Sequence, residues 1–136
     1  MSFRPSLMKT CAQTNIQLFE QIRQSGYRSE ELCQIANAYH FASCQFTGRF
    51  QPSGKVFLAH VVGTASILNT YQAPINLVTA GLIHNIYGNG DFGWLDKRIT
   101  RKKRYQVCRV VGKDVEALAY SFATWLRRPN SLQWTL

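Results

Sequence analysis

Apolar residues recur at intervals of three and four along most of the chain, and turn or capping residues divide that pattern into six predicted helices. Thr14 and Gln17 form a capping box ahead of Ile16, Phe19 and Ile22, and Gly26 supplies a stop. Ser29, with Glu30 and Glu31 behind it, opens a second helix carrying Leu32, Ile35, Ala36, Tyr39 and Ala42 on one side. A loop over 47–54 contains Gly48, Pro52 and Gly54. The third helix runs from about Lys55 to Leu68, with Phe57, His60, Val61, Thr64, Ile67 and Leu68 on a broad face. Pro74 begins the fourth, where the first turn tolerates proline. Leu77, Val78, Gly81 and His84 form its stripe, but Ile75, Ala80, Leu82 and Ile83 make it apolar on every side, which marks a central helix.

Gly88, Gly90 and Gly93 then make a loop around Asp91 and Phe92. A fifth helix covers about Arg101 to Val111, capped by Thr100 and ended by Gly112. A sixth covers about Asp114 to Leu126, with Val115, Leu118, Ala119, Phe122, Trp125 and Leu126 as its stripe and Pro129 beyond it. No strand-like alternation competes. The pattern predicts an all-α fold: one compact domain over residues 1–136, its core spanning about 14–127, with a tail over 128–136.

Two histidines stand out within it. From Val56 to Gly90, 35 residues contain no Asp, Glu, Lys or Arg, and His60 and His84 lie 24 residues apart inside that stretch. Each predicted buried helix therefore delivers one imidazole. A divalent ion held by two neutral imidazoles usually needs a carboxylate to fix its geometry and offset its charge, and the stretch offers none. On residue chemistry alone, two separate core histidines fit as well as a shared site. His40, between Tyr39 and Phe41, reads as a helix residue rather than a third ligand.

Charge narrows the partners. Sixteen Lys and Arg against seven Asp and Glu give a net charge of +9, which favours anionic partners. Lys97, Arg98, Arg101, Lys102, Lys103 and Arg104 occupy six of the eight positions 97–104. Such a run reads first as a solvated basic face. Yet cations in a helix's first turn oppose its dipole, a local cost that invites an anion-binding role. Nucleic acid is the lesser expectation, because no recognised motif accompanies the run and Tyr105 is its only aromatic neighbour.

The four cysteines, Cys11, Cys33, Cys44 and Cys108, have no metal-binding spacing and read as reduced, mostly packed thiols. The mainly apolar runs are about 13 residues long, too short to span a bilayer, and the N-terminus has no secretory pattern. A cytoplasmic protein with no membrane partner is expected.

The segment Gly48–His60 (GRFQPSGKVFLAH) followed by Ala80–Asn85 (AGLIHN) resembles the HD-domain superfamily of metal-dependent phosphohydrolases, and within it the hydrolase half of RelA/SpoT-type enzymes. Gly48, Ser53 and Gly54 match the first motif, Phe57 stands for its Tyr, and His60 stands for the first metal histidine. Ala80, Leu82 and His84 match the second, and Val111–Trp125 is similar to a later family helix. The resemblance covers about residues 31–125 and implies an HD-like helical domain.

The departures bear on activity. The resemblance places Asn85 where the family has its dyad Asp, and Gly88 and Asn89 where it has its water-activating Glu and Asp. Gln51 replaces a nucleotide-contacting Arg, with Arg49 two residues away, and the last metal-binding Asp has no counterpart before Leu136. A degenerate member is the expectation: a histidine-lined pocket for a small anionic or phosphorylated ligand, with metal-dependent hydrolysis lost and no cofactor. Arg49, Gln51, Lys55, His60, His84, Asn85 and Tyr87 are its candidate binding residues. The alternative is an active enzyme. There His60 and His84 either hold one divalent metal such as Mn, Fe or Zn or act as acid and base, and Asp91 replaces the lost carboxylate. A second alternative is an interaction or nucleic-acid module built on residues 97–104. Trp94 beside Phe92 suits loop anchoring or a lid, and Trp134 in the tail suits core packing or a homodimer contact.

Overall fold

The computed structural model describes residues 11–48, 56–93 and 98–126. Every regular element among them is an α-helix: α1 (Asn15–Gln24), α2 (Ser29–Phe46), α3 (Phe57–Thr70), α4 (Ile75–Ile83), α5 (Ile86–Asn89), α6 (Arg101–Val111) and α7 (Lys113–Leu126). None of them is long and apolar enough to cross a membrane.

Local chemistry explains the helix ends. Thr14 Oγ1 accepts from the Gln17 backbone N–H and Thr100 Oγ1 from that of Lys103, each satisfying a donor the helix leaves orphaned. The expected capping box is only half formed, since Gln17 Oε1 accepts from Gln13 N rather than from Thr14. At the start of α2, the Glu31 carboxylate accepts from the backbone N–H of Arg28. Gly26 and Gly112 end α1 and α6 at φ +81° and +85°, in the left-handed region that favours glycine.

α4 is the central element, as its all-round apolar surface requires. Val78, Thr79, Ala80, Gly81, Leu82 and Ile83 are all buried, with α2, α3 and α7 packed around them. Thr79 is satisfied inside the core: its hydroxyl donates to the Ile75 carbonyl at 2.7 Å and accepts from Gln34 Nε2 at 3.1 Å. α3 approaches α4 closely because small residues face each other. A Cβ on Gly81 would lie 2.9 Å from Leu68 Cδ1 and 3.3 Å from the Ala65 backbone. α1 is tied to α3 through Ser66, which donates to Gln21 Oε1 and accepts from Ala12 N. α6 closes the other side against α2 and α7.

The buried faces are narrower than the periodic stripes. Ile16, Ile67, Leu77, Leu118 and Trp125 belong to predicted stripes yet are exposed. Ala38, Val62, Ala123 and the polar Glu116 are buried instead. Each of these helices meets its neighbours along one flank of the apolar sector, and the other flank faces solvent. The cysteines depart from expectation too: all four are free, but Cys11, Cys33 and Cys44 are exposed, although the Cys11 thiol still reaches the Gly63 carbonyl of α3 at 3.4 Å.

Candidate functional site

The first turn of α3 and the last of α4 deliver the two histidines to one place. His60 follows the Val56 carbonyl into the helix, and its own carbonyl accepts from Thr64 Oγ1. His84 is the C-cap of α4, where the chain turns before α5. The two Nε2 atoms stand 3.2 Å apart, with both rings half-buried. Phe122 of α7 meets the His84 ring edge-on, with centroids 5.0 Å apart and planes at 85°.

The protons follow from the neighbours. His84 Nδ1 lies 2.8 Å from the Gly81 carbonyl, which can only accept, so Nδ1 carries a proton and donates it. Burial disfavours a second proton on this ring. The Gly81 carbonyl works against that and His60 works with it, and the net effect is a pKa below the usual histidine value. His84 is therefore neutral near pH 7, with the lone pair of Nε2 facing His60. A hydrogen bond across the gap then requires His60 Nε2–H as its donor.

The spacing also bears on metals. Two nitrogens about 2.0–2.1 Å from one tetrahedral ion stand roughly 3.3 Å apart, and a ligating imidazole commonly donates its other N–H to a backbone carbonyl. Among the described residues, however, the donor set falls short of what a resident metal needs. Among the described residues, no group of three or more His, Cys, Asp or Glu converges anywhere. Two neutral imidazoles fill only half of a tetrahedral shell and offset none of its charge.

The remaining expected site residues are scattered. Asn85 is the half-buried N-cap of α5, and its side chain makes no capping bond. Tyr87 is buried but donates to Glu116 Oε1 at 2.6 Å. Asp91 Oδ1 accepts from Gly93 N in a tight turn, and Asp91 lines a separate cleft between α2 and α6. Arg49, Gln51, Lys55, Trp94, Lys97 and Trp134 lie outside the described residues, as does the side chain of Leu126.

Part of the basic run faces inward. Lys103 is buried, donating from Nζ to the Arg98 carbonyl at 2.9 Å, with the ammonium 5.4 Å from the Phe92 ring centre. Arg104 reaches Glu116 with two bonds, Nε to Oε1 at 2.7 Å and Nη2 to Oε2 at 2.8 Å, while its guanidinium lies 3.7 Å from the Tyr120 ring centre. Burial alone would raise the Glu116 pKa, but Arg104 and Tyr87 together hold it below the ordinary value. Burial and the bond to Glu116 push the Tyr87 phenol well up. The simple solvated basic face is thus replaced by a run in which Arg98, Arg101 and Lys102 are exposed, while Lys103 and Arg104 hold the fold together.

This Tyr87–Glu116–Arg104 cluster is what sequence reasoning missed. Its one available signal was a glutamate at position 116, beside Val115 and three residues before Ala119, on the face that α7 buries.

Comparison with known proteins adds a family. Residues 38–127 match the family described as a domain of unknown function (DUF6817), a span running from α2 through α7 that contains both histidines and the buried cluster. The chain belongs to that family. No curated protein matches it.

Proposed function

We propose that this DUF6817 member is an HD-like helical protein that binds a small anionic or phosphorylated ligand at His60 and His84, with metal-dependent phosphohydrolysis lost. One observation carries the reading: the imidazoles face each other through Nε2 at 3.2 Å, with no cluster of carboxylates among the described residues to complete a metal shell. In the empty pair, one proton serves both Nε2 atoms. An anion entering between or beside them draws a second proton onto His84, so that both rings donate charge-assisted hydrogen bonds. Binding therefore consumes about one proton near neutral pH and strengthens as pH falls toward 6. The net charge of +9 favours capture of anions over longer range.

Calorimetric titration with inorganic phosphate, repeated in buffers of different ionisation heat, measures both the affinity and the proton. Saturable binding with proton uptake is expected, weakened about tenfold by His60→Gln or His84→Gln. One tightly held metal ion per chain, found by elemental analysis of protein purified without added metal or chelator, would overturn the reading.

A second reading, an active enzyme with a rearranged site, draws on the anchoring of His84. A neutral ring fixed through Nδ1–H, with its lone pair presented, has the arrangement of a general base. Turnover of a phosphoester that disappears in both His60→Ala and His84→Ala would favour it. Turnover that survives both would eliminate it. A nucleic-acid module ranks below these, because Lys103 and Arg104 are committed to internal contacts.

A further inference from the structure

A second concavity lies away from the histidines. It is a cleft of about 360 Å³ between α2 and α6, closed at one end by the turn after α5, and the size suits a small molecule. Phe41 and Gln45 line it from successive turns of α2, Asp91 and Phe92 from the turn, and Gln106, Arg109 and Val110 from α6.

Three features of this lining ask for a ligand. First, Gln45 Oε1 is buried and accepts no hydrogen bond from any described residue. A buried acceptor left empty costs about 1–3 kcal/mol, so a donor is wanted there. Second, the residue is pinned to the turn that closes the cleft. The Gln45 backbone carbonyl accepts from Asp91 N at 3.1 Å, and a Cβ on Gly90 would come within 3.3 Å of the side-chain Oε1. The glycine is what lets the carboxamide sit so close to the turn. Third, the cleft carries one carboxylate and one guanidinium that ignore each other. The Asp91 carboxylate accepts from Gly93 N, Arg109 lies 6.0 Å from the Tyr105 ring centre, and neither side chain forms an ion pair among the described residues.

Opposite charges that share a cleft without pairing suit a ligand that carries both. We infer that the α2–α6 cleft is a binding site for a small zwitterion of the free α-amino-acid class. The ligand's ammonium is directed to Asp91, where a turn of the Gln45 carboxamide into the cleft would give the covered Oε1 its missing donor; its carboxylate is directed to Arg109, and its apolar side chain to Phe41, Phe92 and Val110. Gln106 offers a further amide to the carboxylate end. The site is independent of the histidine pair: the two share no residue, and the inference stands or falls apart from the anion reading above.

The test titrates the whole protein with L-leucine and L-phenylalanine, followed by ¹⁵N-resolved NMR. N-acetyl-L-leucine lacks the ammonium and L-leucinamide lacks the carboxylate, so each serves as a probe of one charge. Saturable shifts are expected at Gln45, Asp91, Gln106 and Arg109 with the two amino acids, and much weaker ones with both derivatives. Arg109→Gln, an exposed change that spares the core, should weaken leucine by about fivefold, the upper range for a partly exposed charge pair. It should leave leucinamide unchanged, erasing the difference between the two. The inference is overturned by shifts that stay linear to high millimolar concentration, by equal binding of leucine and its derivatives, or by shifts centred on His60 and His84. An Arg109→Gln protein that folds and still prefers leucine to leucinamide would overturn it as well.

Discussion

Removing the Glu116 carboxylate tests the buried cluster most directly. Glu116 is 4 % exposed and accepts three hydrogen bonds, one from Tyr87 and two from Arg104. In Glu116→Ala, the Arg104 side chain, already 38 % exposed, turns to solvent and recovers most of its hydration, so its lost ion pair costs about 1 kcal/mol. The Tyr87 hydroxyl has no such escape and is left buried without an acceptor, for about 1–3 kcal/mol. Loss of the one buried methylene, Cγ, adds about 1 kcal/mol. The total is about 4 kcal/mol, a large part of the stability of a domain this size and about 10–15 °C in Tm. Tyr87→Phe alone should cost about 1 kcal/mol, because it removes a donor and leaves the carboxylate paired. The order of the two changes then matters. With Glu116 already replaced, Tyr87→Phe removes an orphaned hydroxyl and should be neutral or stabilising. Urea unfolding followed by far-UV circular dichroism gives all four corners of the cycle. If Tyr87→Phe costs the same in both backgrounds, to within about 0.3 kcal/mol, the hydrogen bond is not what holds α5 to α7.

Two further outcomes follow from the same geometry. Burial lowers the His84 pKa in the folded protein, so below the unfolded value of about 6.5 the unfolded chain binds more protons. Stability should therefore fall as pH drops from about 6.5 through the folded value, and less steeply in His84→Gln; identical slopes in urea midpoints between pH 7.5 and 5.5 would contradict a neutral, desolvated ring. Gly90→Ala places a Cβ 2.4 Å from the Ile86 carbonyl oxygen, a backbone atom with little room to move. It should destabilise by about 1–3 kcal/mol, and an unchanged urea midpoint would show that the α5 turn is softer than its contacts imply.

What the sequence made legible was local. Thr14, Gly26, Thr100 and Gly112 bound their helices through bonds to near neighbours, so the elements could be read from spacing and caps. α4 was legible as the centre because its apolar residues surround the helix, whereas the uncharged stretch left two separate core histidines as good a reading as a pair, and only the resemblance to HD-domain motifs set His60 beside His84. The break after Ile83 was less so: the periodicity continues to Tyr87, but the chain turns at His84 and Asn85 to start α5. Illegible were the partnerships that only tertiary packing creates. Arg104 and Glu116 are separated by a helix end, and Lys103 and Arg104 look like any solvated lysine and arginine until Phe92, Tyr120 and Glu116 are brought over them. The α2–α6 cleft was hidden for the same reason. Phe41 and Gln45 read as one helix face, Gln106 and Arg109 as another, and nothing in either segment says that they meet.

Gly81 carries no functional group, yet it governs the histidine pair twice. Its missing side chain lets Leu68 and Ala65 come close enough to set the crossing of α3 and α4, and its carbonyl fixes which nitrogen of His84 bears hydrogen. The gap between the rings and their tautomer are thus inherited from one backbone position. An alanine there keeps the carbonyl but wedges the helices apart, uncoupling distance from protonation.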